Sequence, residues 1–222
     1  MGKTISIIQS LKDCILNLET AFWDKRLGIK TLGVRRGVAP TEDGNDDYYC
    51  YQSKCYSTVR ACLRPVKMGA EDVFYDVGCG AGRVLCLVAQ RRIRKCVGVE
   101  LSEAFCTLAR DNAQHLRGRR TPIEIVAGDA TLVDYSDGTV FFFYNPFGPQ
   151  PLQVVLRRIR EGFLQKPRRI LFIYLNPSAH HVFESQEWLQ VVAKRSVGTG
   201  GLLVYYYSPA ERRESEAGAF CQ

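Results

Sequence analysis

The chain has 222 residues, 46% of them hydrophobic and 11% aromatic, so it fills a sizeable core and wholesale disorder is excluded. That length suits one domain, or one domain with a short appendage. Lysine and arginine number 30 against 23 aspartates and glutamates, a formal charge of +7 that invites a nucleic-acid reading until the charges are located.

Nine cysteines stand at positions 14, 50, 55, 62, 79, 86, 96, 106 and 221, mostly inside apolar runs. No CxxC pair exists, and His115, His180 and His181 are not spaced to complete a zinc site, so no metal is expected. Small buried thiols in a reducing compartment are the expectation, with Cys50 and Cys55 as the disulfide candidate. The start lacks the apolar stretch and cleavage site of a signal peptide, and no run approaches the ~20 apolar residues that span a bilayer. A cytoplasmic protein without a membrane segment follows.

In chain order, Ile5, Ile8, Leu11, Ile15, Leu16, Phe22 and Trp23 recur at helical spacing, which predicts a core-covering helix over 4–22. Residues 24–50 hold four glycines, Pro40 and the acids Glu42, Asp43, Asp46 and Asp47, which predicts a long loop of the functional kind. A helix over 57–63, stopped by Pro65, precedes a change of pattern at residue 72. Strands at 73–77, 96–99, 123–126, 139–144 and 170–175 alternate with helices at 83–92, 102–116 and 152–164, Ser102 serving as N-cap. Such alternation predicts an α/β domain with a doubly wound parallel sheet between helical layers. Runs 188–196 and 202–207, separated by Gly198-Thr199-Gly200-Gly201, read as a closing antiparallel hairpin, and the tail after Pro209 as frayed.

The most informative segment is Asp76-Val77-Gly78-Cys79-Gly80-Ala81-Gly82, where a buried strand runs through glycines into a helix. Glycines there let ligand atoms approach the backbone at the carboxyl edge of a parallel sheet. Glu100 ends the next strand, about 20 residues on, placed to accept both hydroxyls of a ribose. Nicotinamide cofactors and S-adenosylmethionine (SAM) share this layout. The G-x-G-x-G spacing and the acid ahead of it separate them, because Asp76 would repel a pyrophosphate yet suits the ammonium of a methionine moiety. Gly128-Asp129-Ala130, after the third strand, supplies an acid and a backbone amide suited to an adenine edge.

These motifs resemble those of the class I SAM-dependent methyltransferases over about residues 72–208. The resemblance implies a mostly parallel seven-stranded sheet with an antiparallel final strand and SAM as cofactor. It implies contacts from Asp76, Gly78, Cys79 and Gly80 at the methionine end, Glu100 and Leu101 at the ribose, and Asp129 and Ala130 at the adenine. Asn145-Pro146-Phe147, after the fourth strand, is similar to the Asn/Asp-Pro-Pro-aromatic motif of amino-group methyltransferases, though the second proline is missing. An Asn carbonyl and a backbone carbonyl there would accept the amine's hydrogens and aim its lone pair, while Phe147 walls off water. Catalytic roles are therefore expected for Asn145, Pro146 and Phe147, with Asn145 also at the cofactor.

A narrower resemblance runs to the non-SET histone-lysine methyltransferases of telomeric silencing. It rests on Asn145-Pro146-Phe147-Gly148-Pro149, the Val97-Gly98-Val99-Glu100 strand, the glycine turn at 198–201 with the tyrosines after it, and Tyr51-x-Ser53 as part of a SAM-covering loop. This chain is shorter, lacks the long helical N-terminal region and has Cys79 and Ala81 in its glycine loop, so a histone substrate does not follow. Asp24 to Gly33 also matches a D-x-x-x-G-I-x-T-x-G segment of compact bacterial methyltransferases.

Basic runs at 91–95, 117–120, 157–160 and 166–169 are expected at helix ends, on the edge away from the ligand. The expectation is an enzyme transferring methyl from SAM to an amine of a small molecule or a protein lysine. Residues 1–65 would form a helical lid and substrate wall, and 66–222 the methyltransferase domain. The alternatives are an RNA or DNA methyltransferase, an NAD-dependent oxidoreductase and a noncatalytic SAM-binding module. Nucleic acid is the less favoured acceptor, and the oligomeric state is left open.

Overall fold

The computed structural model describes residues 2–31, 54–198 and 201–210, with side chains from residue 14 onward. Two helices, α1 (Gly2–Leu27) and α2 (Tyr56–Leu63), precede an alternating series. That series runs β1 (Val73–Val77), α3 (Arg83–Val88), β2 (Lys95–Glu100), α4 (Glu103–His115) and β3 (Ile123–Ala127). It continues through β4 (Val140–Phe143), α5 (Pro149–Gln165) and β5 (Leu171–Leu175) to a short helix, α6 (His180–Glu184). The hairpin β6 (Leu189–Val197) and β7 (Leu202–Pro209) closes it.

The seven strands form one sheet in the order β3-β2-β1-β4-β5-β7-β6. The first five pair in parallel, while β7 inserts antiparallel between β5 and β6. Every residue of β1 and β4 is buried, as central strands covered on both faces must be. The doubly wound sheet with its closing antiparallel pair agrees with the sequence expectation.

Alternate residues feed two cores. Tyr75, Phe141 and Phe172 stand in register on one face, their rings stacked at 5.4 and 5.3 Å. Each such pair contributes roughly 0.5–1.5 kcal/mol beyond the area it buries. On the other face Phe74, Phe142 and Tyr206 share a core with Leu27, Ile29, Tyr56 and Leu63 of the N-terminal elements. The Tyr206 hydroxyl fixes α2 to that face by donating to the Cys62 carbonyl at 2.7 Å.

The N-terminal helix differs from the sequence expectation. It runs on to Leu27, into the stretch read as loop, and stops where Gly28 takes a φ of 75°. The Ile29 amide then donates back to the Asp24 carbonyl at 3.0 Å, so a left-handed glycine cap ends the helix. It is not a core-covering helix along its described length, since Ile15 is 63% and Phe22 60% exposed. Among its described side chains, from Cys14 onward, only the stripe Thr20, Asp24 and Leu27 is buried.

Other boundaries move by a few residues. Helix α3 ends at Val88 instead of reaching 92, because the Ala89 carbonyl is taken by the amides of Arg120 and Thr121 at 2.8 and 3.1 Å. Ser102 precedes α4 without a side-chain cap; its amide donates to Glu100 instead. The 157–160 basic run lies inside α5 and not at its end, whereas 166–169 follows it. Cys50, the disulfide candidate's first half, and the tail after 210 lie outside the described residues.

Gly98 in β2 lets a helix and the glycine loop pack closely on the sheet. A Cβ there would fall 2.5 Å from Leu85 Cδ1 and 2.7 Å from Cys79 Sγ, displacing α3 and the glycine loop together. Gly98→Val is expected to cost about 1–3 kcal/mol in urea unfolding; an unchanged midpoint would contradict this packing.

Candidate functional site

The glycine loop leaves β1 at Val77 and turns through three left-handed glycines, Gly78, Gly80 and Gly82, at φ of 79°, 52° and 78°. Side chains rarely adopt that conformation. A Cβ at Gly78 would also meet Pro146 Cβ at 2.5 Å, so the loop and the end of β4 touch without side chains between them. The loop is held from β2: the amides of Gly78 and Cys79 both donate to the Val99 carbonyl, at 2.9 and 3.0 Å.

Glu100 completes that grip. Its Oε2 accepts from the Gly80 amide at 2.8 Å and its Oε1 from the Ser102 amide at 3.0 Å. Two acceptor oxygens have further lone pairs, and Glu100 is half-buried, so the carboxylate is both fixed and reachable. Leu101 beside it is exposed.

Asp76 is 3% exposed, and its Oδ2 is buried without a hydrogen-bond partner among the described residues. Burial first, and then the nearby Glu100 charge, push its pKa up to about 8. A buried carboxyl with an orphaned oxygen, close to the Glu100 charge, is suited to receive a cation on giving up its proton. It opens on a cavity also lined by Gly78, Cys79, Arg83, Lys54, Phe142 and Tyr144.

At the far side of Glu100, Asp129 caps a one-turn helix, its Oδ1 accepting from the Thr131 amide at 2.8 Å. Ala130 is buried there, and the Gly128 amide donates to the Glu100 carbonyl at 2.9 Å. The loop, Glu100 and Asp129 thus line one edge of the sheet at the ends of β1, β2 and β3. The predicted Tyr51 and Ser53 lie outside the described residues.

Asn145 follows β4 in a left-handed conformation, φ 43°, uncommon outside glycine though best tolerated by asparagine, and local constraint holds it there. The constraint is visible. Its Nδ2 donates to the Asn176 carbonyl at 2.6 Å, while its Oδ1 accepts from both the amide and the hydroxyl of Ser178, at 3.1 and 3.0 Å. Its side chain therefore brackets the ends of β4 and β5, with both Oδ1 lone pairs engaged. Asn176 shares the strain at φ 49°. Pro146 is pressed on Gly78, and Phe147 is 3% exposed in the core beside α5. His180 and His181 stand exposed on α6, the His180 ring stacked 6.1 Å from Tyr205 with Glu184 3.7 Å away.

Sequence reasoning missed a buried polar knot that joins the N-terminal segment to this loop. Asp24 accepts from the Thr31 amide at 2.6 Å, the Thr31 hydroxyl at 2.7 Å and the Tyr56 hydroxyl at 2.6 Å. Arg83, first residue after the glycine loop, donates from Nε to Thr31 Oγ1 at 2.8 Å and from Nη1 to the Lys54 carbonyl at 2.6 Å. Asn112 adds a second tie, donating to the carbonyls of Lys30 and Ala81 and accepting from the Lys30 amide. The signal was in the Asp24–Thr31 segment, whose fixed polar positions are the ones the knot uses.

The family "Histone methylation protein DOT1" matches residues 44–131. A protein-lysine N-methyltransferase of Saccharolobus islandicus is 29% identical over 160 residues, covering 70% of this chain and 90% of that protein. A histone-lysine N-methyltransferase specific for H3 lysine-79, from Caenorhabditis elegans, is 30% identical over 95 residues, 40% of this chain but only 10% of the relative. Among solved structures, an RNA methyltransferase from Salinibacter ruber in complex with S-adenosylhomocysteine has the same fold. It is 23% identical at a TM-score of 0.55, covering 73% of this chain and 97% of that one. A SAM-dependent methyltransferase from Aquifex aeolicus aligns at a TM-score of 0.51 and 14% identity, over 68% of this chain and 89% of that one.

Asp76 gives a test in the ligand-free protein. Its pKa of about 8 lies above the ordinary 3.8, so the folded state holds a proton that the unfolded chain has lost between those values. Stability contributed by this group is complete below the lower value and falls as pH rises toward the upper one. Asp76→Asn should therefore raise Tm over wild type by a margin that widens from pH 5 to pH 8; a constant margin would refute the buried-carboxyl account.

Proposed function

We propose that this chain, a class I SAM-dependent methyltransferase, transfers its methyl group to the amine of a protein lysine. The family match and the protein-lysine relative that spans 70% of the chain carry the choice of acceptor. SAM supplies a methyl already activated on a sulfonium, so the protein's task is alignment and exclusion of water rather than activation.

The residues fit that cofactor. Asp76, with its orphaned oxygen, takes the ammonium of the methionine end; Gly78 and Cys79 line the cavity beside it, and Gly80 follows them in the loop. Glu100 accepts the ribose hydroxyls on its remaining lone pairs while still gripping Gly80. Leu101 stands beside Glu100 at the ribose, and Asp129 and Ala130 border the adenine. The described parts of residues 1–65, the end of α1 and helix α2, wall one face of the domain of 66–222. Phe147 holds the turn from within the core. The packing of Cys62, Cys79, Cys86 and Cys96 as buried free thiols supports a reducing, cytoplasmic setting, and no described helix is long and apolar enough to cross a membrane.

Asn145 acts as a positioning residue in this reading. With its side-chain oxygen held by Ser178, it sets the Pro146 turn against Gly78 and thereby the place where the amine meets the methyl. Misplacement of about 1 Å in such a site costs up to ~100-fold in rate. Asn145→Ala and Ser178→Ala should both lower kcat, the first by at least tenfold, while S-adenosylhomocysteine binds each as it binds wild type. A normal rate in Ser178→Ala with a lost rate in Asn145→Ala would instead assign the amide to the amine directly.

The acceptor is tested by incubating the protein with methyl-labelled SAM and a mixture of basic proteins, then mapping the label by mass spectrometry. Methylated lysine side chains are expected; label confined to RNA or to small amines would overturn the assignment. Glu100→Ala should weaken S-adenosylhomocysteine binding by about tenfold or more, since a charge-assisted hydrogen bond contributes about 1.5–3 kcal/mol; calorimetry checks it.

A further inference from the structure

We infer that the face built by the ends of α1, α2, α3 and α4 docks the phosphate backbone of a nucleic-acid duplex, separately from the methyl-transfer edge. Two basic runs that are remote in sequence meet here with cations of the N-terminal helices. A groove between α2 and the end of α3 is lined by Arg60, Arg64, Gln90 and Arg91. From Arg60 the cationic surface continues to α1, because Arg60 and Arg26 both lie against the Trp23 ring, at 3.5 and 5.8 Å. From α1 it passes to the turn after α4: the Arg117 amide donates to the Leu27 carbonyl at 2.8 Å and its guanidinium to the Lys25 carbonyl at 3.3 Å. That turn closes the circuit, since Gly118 faces the Gln90 amide group and the Arg120 amide binds the Ala89 carbonyl.

The side chains stand ready for anions. Lys25, Arg26, Arg64, Arg92, Arg117 and Arg120 are exposed. The ion pairs among the described residues engage Lys95, Arg110 and Arg169 but none of these six. Asp24 is turned into the buried knot, Asp111 pairs with His115, and Glu19 is bound to Ser57. Lys25 and Arg26 lie in the last turn of α1, Arg64 caps α2, and Arg92, Arg117 and Arg120 follow the ends of α3 and α4, so helix dipoles suit each cation singly while the packing gathers them on one face.

A duplex suits this face better than a single strand. Single-strand sites interleave cations with aromatic rings on which bases stack. Here the central ring, Trp23, is covered by Arg60, and the exposed Phe22 beside it is a single ring, not a series interleaved with the cations. Cations spread over four elements match instead a backbone of regularly spaced phosphates, whose binding needs no base contact. The six residues of α3 separate the groove from the glycine loop, roughly 9 Å of helix. A docked duplex would thus leave the Asn145 edge open to its acceptor.

Fluorescence anisotropy with a labelled short DNA duplex tests this, using the full chain with and without S-adenosylhomocysteine. Wild type should bind with a steep salt dependence. The triple variant R64Q/R92Q/R120Q, whose side chains make no hydrogen bond among the described residues, should bind at least tenfold more weakly, with a log–log salt slope shallower by about 2.7, the loss of three phosphate contacts. Unchanged S-adenosylhomocysteine binding by the variant shows that the fold and the cofactor site stand. The inference is overturned if wild type ignores the duplex at low salt, if the triple variant binds it equally, or if polyglutamate or a single strand binds more tightly than the duplex.

Discussion

The site depends on how β2 grips the glycine loop. Three consecutive loop amides are held by one strand end, two by the Val99 carbonyl and one by the Glu100 carboxylate. Only glycine fits at the turns, because the chain is left-handed there and Pro146 presses on it from the next strand over. The same carboxylate that fixes the loop also raises the pKa of Asp76 beneath it. Structure and electrostatics of the site are therefore one arrangement: moving Glu100 would loosen the loop and change the charge of the acid at its base.

Two further devices extend this order outward. The Asp24–Thr31–Arg83 knot ties the end of α1 to the first residue after the loop, burying charge with its hydrogen bonds satisfied. Removing one member of such a buried set leaves the others unpaired, which costs more than the set contributes when whole. The Asn145–Ser178 bracket does the corresponding work on the other side, locking two left-handed asparagines at the ends of adjacent strands. Strain of this kind persists only where surrounding contacts fix it, and here it lies at the edge proposed for methyl transfer.

Much of the fold was legible in the sequence. Buried strands of continuous apolar residues, and glycines at their carboxyl ends, leave strong local patterns, so the strand series and the closing hairpin agree with their expected positions to within a residue or two. The N-terminal helix misled because Ile15 and Phe22 have helical spacing but face away from the core, whereas the buried stripe carries Thr20 and Asp24. Periodicity reports which residues share a face, not which face is covered. Helix α6 has only five residues, too few for any period. Asn145 was visible as a motif, but its partners Asn176 and Ser178 are 31 and 33 residues away, and only the sheet brings them together. The basic runs read as helix-end charges when taken singly; their union into one face is a property of the packing.

The central claim is that Asp76 and Glu100 together receive the amino and ribose ends of SAM. Titration of S-adenosylhomocysteine by calorimetry, in two buffers of different ionisation enthalpy at pH 6.5, tests it most directly. A cation docking on Asp76 must displace the proton that burial holds there, so binding should release close to one proton and tighten toward pH 8, and Asp76→Asn should abolish the release. Binding without proton release, or a preference for NAD over S-adenosylhomocysteine, would contradict the account.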